Sequence, residues 1–103
     1  DDLAKYNSLK AELYPKAADA YYTKGKSDFL SKNMTEAKTD LEAALKYASN
    51  ENFVDDIYYY LGQIAEGEND TASAKKYYNK IISEYPDSNQ IGNARNALEG
   101  LKE

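Results

Sequence analysis

Eighteen carboxylates and eleven tyrosines carry the chemistry open to this chain, which has no cysteine and no histidine. Without thiols and imidazoles there is no disulfide, no thiol nucleophile, no zinc site of the usual kind and no histidine general base. The carboxylates are plentiful, yet the sequence places none of them as a catalytic pair, and it holds no Gly-rich phosphate loop or nucleophile motif. The acidic stretch "EGEND" (66–70) lacks the Asp-x-Asp-x-Asp-Gly ladder and the later bidentate Glu of a calcium loop, so it reads as cap and turn. Asn33-Met34-Thr35 and Asn69-Asp70-Thr71 match a glycosylation sequon, but both fall in turns that favour Asn anyway. No enzyme, cofactor or metal is expected.

The tyrosines are the more informative group. In "IYYYLGQIAEGEND", Tyr58, Tyr59 and Tyr60 stand side by side, and three consecutive residues cannot all face one way on a helix or a strand. At least one ring must therefore serve a purpose different from the others.

The elements that position these rings come from an internal repeat. Tyr21-Tyr22 recurs as Tyr58-Tyr59, Gly25 as Gly62, Asn33 as Asp70 and Ala37-Lys38 as Ala74-Lys75, all at an offset of 37. Leu41, Ala44, Leu45 and Ala48 correspond to Tyr78, Ile81, Ile82 and Tyr85, at the 3, 4 and 7 spacings of one helical face. Each copy therefore reads as two helices and a turn. The predicted helices run from Leu3 to Leu13, from Pro15 (a suitable first helical residue) to Leu30, and from an Asn33 cap with Glu36 in capping-box spacing to Ala48. A fourth starts at an Asn52 cap, with Asp55 and Asp56 favoured in its first turn by the helix dipole, and stops at a left-handed Gly67. A fifth runs from a cap at Asp70 or Thr71 to a stop at Pro86, and a sixth from a Ser88 cap to Lys102.

Composition agrees with such an array. One domain's worth of chain (1–103) has a globular balance of 42% hydrophobic and 30% charged residues. A net charge of −5 argues against nucleic acid, which draws on clustered Lys and Arg, and there is no polybasic segment for an anionic membrane. No apolar run approaches the ~18 residues of a membrane span. With no signal peptide and no initiator Met at Asp1, the chain reads as mature or excised. Twelve lysines against a single arginine suggest AT-rich coding, as in a bacterium of low genomic GC.

The 34 residues from Asp55 to Ser88 resemble a tetratricopeptide repeat, whose helix-turn-helix unit has that period. Its pattern of a large residue, Leu-Gly, a small residue, an aromatic and a closing Pro is met by Tyr58, Leu61-Gly62, Ala74, Tyr78 and Pro86. Ala18 to Asn50 is similar through Tyr21, Gly25, Ala37 and Leu41, but Lys24 stands in place of Leu61 and Asp28 in place of Ala65. The resemblance implies an all-α, right-handed helix-turn-helix solenoid of about two units. A leading helix (1–14), a degenerate repeat (15–50), a well-matched repeat (52–88) and a capping helix (89–103) would compose it. Leu3, Tyr6, Leu9 and Leu13 sit about one position out of register, so the leading segment is read as helix and not as repeat.

In such a solenoid the first helix of each pair lines a concave groove. Tyr21 and Tyr58 are then expected in the core, and Tyr22, Lys26, Phe29, Tyr59, Tyr60 and Gln63 toward the groove. The resemblance implies a protein-interaction scaffold that binds a peptide or a partner helix there. Members that grip a C-terminal carboxylate use a Lys and Asn clamp, which Tyr22, Lys26, Tyr59 and Gln63 do not match. The tail "YYNKIISEYPDS" resembles repeats of bacterial envelope proteins, so an extracytoplasmic place in a longer membrane-anchored protein is expected over the cytoplasm. A self-associating assembly module (a homo-oligomer) and a peptide-sensing regulatory domain are the alternatives.

Overall fold

The computed structural model describes residues 2–48 and 52–101, with side chains described from residue 13 onward. Among these residues there are five helices and no strand: α1 (Asp2–Leu30), α2 (Met34–Tyr47), α3 (Val54–Gly67), α4 (Thr71–Glu84) and α5 (Ile91–Gly100). They fall into two compact units, 1–52 and 53–103. In unit 1, α1 packs on α2; in unit 2, α4 packs against both α3 and α5. The expected faces of Leu3, Tyr6 and Leu9 and the expected end at Lys102 lie outside the described side chains and residues.

Five helices stand where six were expected because α1 does not break at Pro15. A proline inside a helix loses one backbone hydrogen bond and crowds the carbonyl four residues back, a cost of about 3 kcal/mol. Good helix formers flank it on both sides, with Ala11, Glu12 and Leu13 before and Lys16, Ala17 and Ala18 after. Packing holds both sides as well. The Tyr14 ring meets the edge of Tyr47 of α2 at 5.0 Å, and Ala18 is fully buried.

The turns inside the two units are copies of each other at the 37-residue offset. Lys32 N–H donates to Phe29 O and Asn33 N–H to Asp28 O; Asn69 N–H donates to Glu66 O and Asp70 N–H to Ala65 O. These are the paired bonds of a Schellman motif, which places one residue in the left-handed region. That residue is Lys32 (φ 66°) in unit 1 and Asn69 (φ 62°) in unit 2. The left-handed stop expected at Gly67 is thus at Asn69, and Gly67 is the last residue of α3. In both units the next helix is capped directly after the left-handed residue, so the turn needs no further length.

Capping also departs from the expectation. Asp70 Oδ1 accepts the Ser73 N–H at 3.1 Å, as expected. Asn33 sits at the cap position of α2 but makes no side-chain cap bond, so the box with Glu36 does not form. The α3 cap is Phe53 and not Asn52, and α5 is capped at Gln90 and not Ser88. Ser88 acts one step earlier, its Oγ accepting the Gln90 N–H at 2.9 Å. Helix α4 ends at Glu84, two residues before Pro86, because a residue before proline is pushed out of the helical region.

Small residues close both helix pairs. A Cβ on Gly25 would lie 2.8 Å from Leu41 Cγ, and one on Gly62 would lie 2.5 Å from Tyr78 Cε1. Ala37, Leu41 and Ala44 of α2 and Ala74, Tyr78 and Ile81 of α4 are fully buried. In unit 2, Ala65, Ala74, Tyr78, Ile81 and Ala94 form a core on which Tyr58, Tyr59, Ile91 and Leu98 pack. Burying a large apolar side chain of this kind stabilises by about 1.5–3 kcal/mol.

Candidate functional site

Helix α3 arranges its tyrosines by the 100° step of a helix. Tyr58, half-buried, lies 6.2 Å from the ring of Tyr77 and 6.1 Å from that of Tyr85, with Lys80 Nζ 5.5 Å from its centroid. Burial raises its phenol above the ordinary value. Tyr59 leans on the unit 2 core, 6.0 Å from Tyr78, and its hydroxyl accepts Gln63 Nε2 at 2.8 Å. Tyr60 is half-buried, 6.4 Å from Tyr59, and its phenol is raised by burial and then by the nearby Asp56 carboxylate.

The ring that fills the place beside Gly62 is Tyr78 of α4, and Tyr58, expected in the core, is only half-buried. Its hydroxyl donates to Glu66 Oε2. Burial and that carboxylate push its phenol far up. Tyr58 and Tyr59 share the wrapping of this core. The expectation that Tyr59 faces away from it is therefore amended. The ring packs on the core, and its hydroxyl is held by Gln63 in a part-buried bond.

Unit 1 carries the remaining expected residues on α1, where Tyr22 and Phe29 are half-buried and Lys26 is exposed. Tyr21, expected in the core, is 37% exposed and stacks on Tyr47 at 5.8 Å. It leaves the core because Gly25 admits Leu41 there instead. Lys24, the misfit against the repeat pattern, has partners: its ammonium reaches Asp28 at 3.0 Å and Asp40 at 2.8 Å. Asp40 and then Asp28 raise the ammonium, and Lys24 lowers the Asp40 carboxyl. A shallow depression of about 190 Å³ lies beside them, lined by Lys24, Thr35, Glu36, Thr39 and Asp40.

Two acidic residues of α3 were read only as helix-dipole partners, and both do more. Asp55 Oδ2 accepts the Ser88 hydroxyl, and Asp56 Oδ1 accepts Gln90 Nε2 at 2.8 Å, so both pin the turn before α5. Gln90 stands 34 residues after Asp56, the period of the well-matched repeat, and Ser88 33 after Asp55, one short of it, which was the available signal. Glu66 as the acceptor for Tyr78 had no such signal. Its partner is twelve residues away on the next helix and is found only once α3 and α4 are packed. Tyr59, Tyr60 and Gln63 come together on α3, while Tyr22, Lys26 and Phe29 share α1.

Pairs of helices, each closed by a glycine on the first helix against a large residue on the second, define a helical repeat protein. Two family models described as tetratricopeptide repeat match residues 18–51 and 56–88. The chain belongs to the tetratricopeptide repeat family. No curated protein matches it, and neither does any solved structure. Repeats of this family are generally protein–protein interaction modules and typically not enzymes. No helix among the described residues is long and apolar enough to cross a membrane.

Proposed function

We propose that this chain is a scaffold that takes a peptide or a partner helix on its first helices, with Tyr59, Tyr60 and Gln63 of α3 as the principal contacts. Tyr22, Lys26 and Phe29 play the same part on α1. The observation that carries this reading is the Tyr59–Tyr60 pair, 6.4 Å apart, with the Tyr59 hydroxyl fixed by Gln63. Half-buried, pre-positioned aromatic rings offer contact area at small entropy cost, and such residues dominate binding hot spots. Tyr59 packs on the buried core of unit 2 and Tyr60 is not among the rings that do, so Tyr60 is the probe. Peptides selected on the intact protein should lose about thirtyfold or more in affinity on Tyr60→Ala, equivalent to ~2 kcal/mol. Lys75→Ala on α4 should leave them unchanged. Equal loss in the two variants would refute the α3 face.

Self-association is the second reading, favoured by two exposed leucines of α1, Leu13 (52%) and Leu30 (68%). A strict monomer by light scattering at high concentration would remove it. Membership of a longer, membrane-anchored envelope protein remains part of the proposal on the strength of "YYNKIISEYPDS" alone, and cell fractionation checks it.

A further inference from the structure

The face of α3 that holds the tyrosines has a charge that its counterpart on α1 lacks. Asp56, Tyr59, Tyr60, Gln63 and Glu66 fall within about 120° of arc at 3.6 residues per turn. The two charged residues among them are both acidic, and α3 contains no Lys or Arg. At the same repeat positions α1 carries Asp19, Tyr22, Thr23, Lys26 and Phe29, one anion and one cation. Glu66 is exposed and Asp56 half-buried, and each spends one carboxylate oxygen on a neutral donor, Tyr78 and Gln90 respectively. No internal cation neutralises either carboxylate through an ion pair among the described residues.

Resting on the α3 reading above, we propose that the segment bound there is a cationic peptide. Its Lys or Arg side chains lie over the tyrosine rings and reach the carboxylates of Asp56 and Glu66. A cation over a tyrosine face is attracted by the ring quadrupole, and a carboxylate beside that ring adds to the attraction. Long-range attraction to a chain of net charge −5 speeds the encounter and rejects acidic segments. Asp56 and Glu66 are separated by ten residues of helix, about 15 Å. An extended peptide covers that distance in roughly four or five residues.

The probe is therefore a short dye-labelled peptide with two lysines five residues apart, compared with versions bearing glutamines or glutamates there. Fluorescence anisotropy measures its affinity for the intact protein, and amide chemical-shift mapping locates it. The lysine peptide should bind best, shift amides of 56–67, and weaken steeply between about 50 and 500 mM salt. Asp56→Asn with Glu66→Gln should cost about three- to tenfold at low salt. Both substitutions keep an oxygen for Gln90 and Tyr78, so the fold is preserved. Glu42→Gln on α2 should change nothing. If the glutamine or glutamate peptide binds the α3 amides equally well, or if the double variant binds the lysine peptide undiminished, the charge inference fails and the α3 reading stands. Shifts that map away from α3 for every peptide would overturn both.

Discussion

In unit 1 the joint between helices is Gly25 against Leu41, and in unit 2 it is Gly62 against Tyr78, the same two repeat positions filled by an aliphatic and an aromatic side chain. Leu41 asks for nothing further once it is buried. Tyr78 brings a hydroxyl that must be satisfied, and Glu66 satisfies it. The position equivalent to Glu66 in unit 1 is Phe29, apolar where no hydroxyl needs an acceptor. A second set of positions behaves likewise. Leu61, Ala65 and Tyr77 of unit 2 are replaced by Lys24, Asp28 and Asp40, which pair with one another. Such exposed ion pairs add little stability, since screening and side-chain entropy offset the attraction. The lesson is that a repeat departs from its pattern by groups of touching residues. Read one position at a time, Lys24 and Asp28 look like defects.

Breaking the joint should separate the two units most clearly. Gly62→Ala forces a methyl into a fully buried ring that has no room to turn, so a loss at the upper end of the ~1–3 kcal/mol overpacking range is expected. Gly25→Ala meets Leu41 Cγ at 2.8 Å, Cδ2 at 2.9 Å and its backbone N at 3.2 Å, a wider approach than the 2.5 Å at Gly62, so a smaller loss within that range is expected. The helix-propensity gain of up to ~1 kcal/mol is common to both variants. Chemical denaturation of the two variants measures the difference. Equal losses would mean that ring and aliphatic chain yield alike.

Alkaline pH tests the hydroxyl that only unit 2 buries. The Tyr78 phenol is held far up by burial and by Glu66, and those of Tyr58, Tyr60 and Tyr85 are raised by burial. A raised folded-state value favours the protonated phenol in the native state. Its stabilisation is complete below about pH 10 and is lost as pH rises through the folded values. Thermal melts should therefore fall from about pH 10 upward. Tyr78→Phe should flatten that fall while costing about 0.5–1.5 kcal/mol at neutral pH. An unchanged alkaline slope in Tyr78→Phe would assign it to other tyrosines.

The smallest effect lies in the turns. Lys32 holds a left-handed conformation that Asn69 holds in the other unit, and Asn visits that region more readily than Lys. Lys32→Asn should raise stability by up to about 1 kcal/mol, read from the denaturation midpoint. The reverse change, Asn69→Lys, should lower it by a similar amount.

The helix pairs were legible because their small and large residues recur at one offset and at helical spacing. Pro15 misled because local chemistry marks a helix start, whereas ring packing of Tyr14 on Tyr47 carries α1 through it. Gly67 misled in the same way, since the turn's length and not the residue type fixes where the left-handed residue falls. The tyrosines of α3 were sorted by angle alone, and angle does not reveal which ring the partner helix supplies. Tyr78 took the place beside Gly62, so Tyr58 was displaced to the rim. Asp56 and Glu66 were visible as residues of α3, but not as one acidic face with Tyr59 and Gln63 between them.

The Tyr78–Glu66 bond also gives the molecule an optical signal. The chain has no tryptophan, so its ultraviolet emission comes from tyrosine alone. An excited phenol becomes a much stronger acid, and a carboxylate already accepting its hydrogen bond takes the proton and quenches the emission. Folded unit 2 therefore keeps Tyr78 dark, and separating α3 from α4 lights it. In unit 1 Leu41 stands in that place, so brightening from Tyr78 reports the opening of unit 2 without any added label.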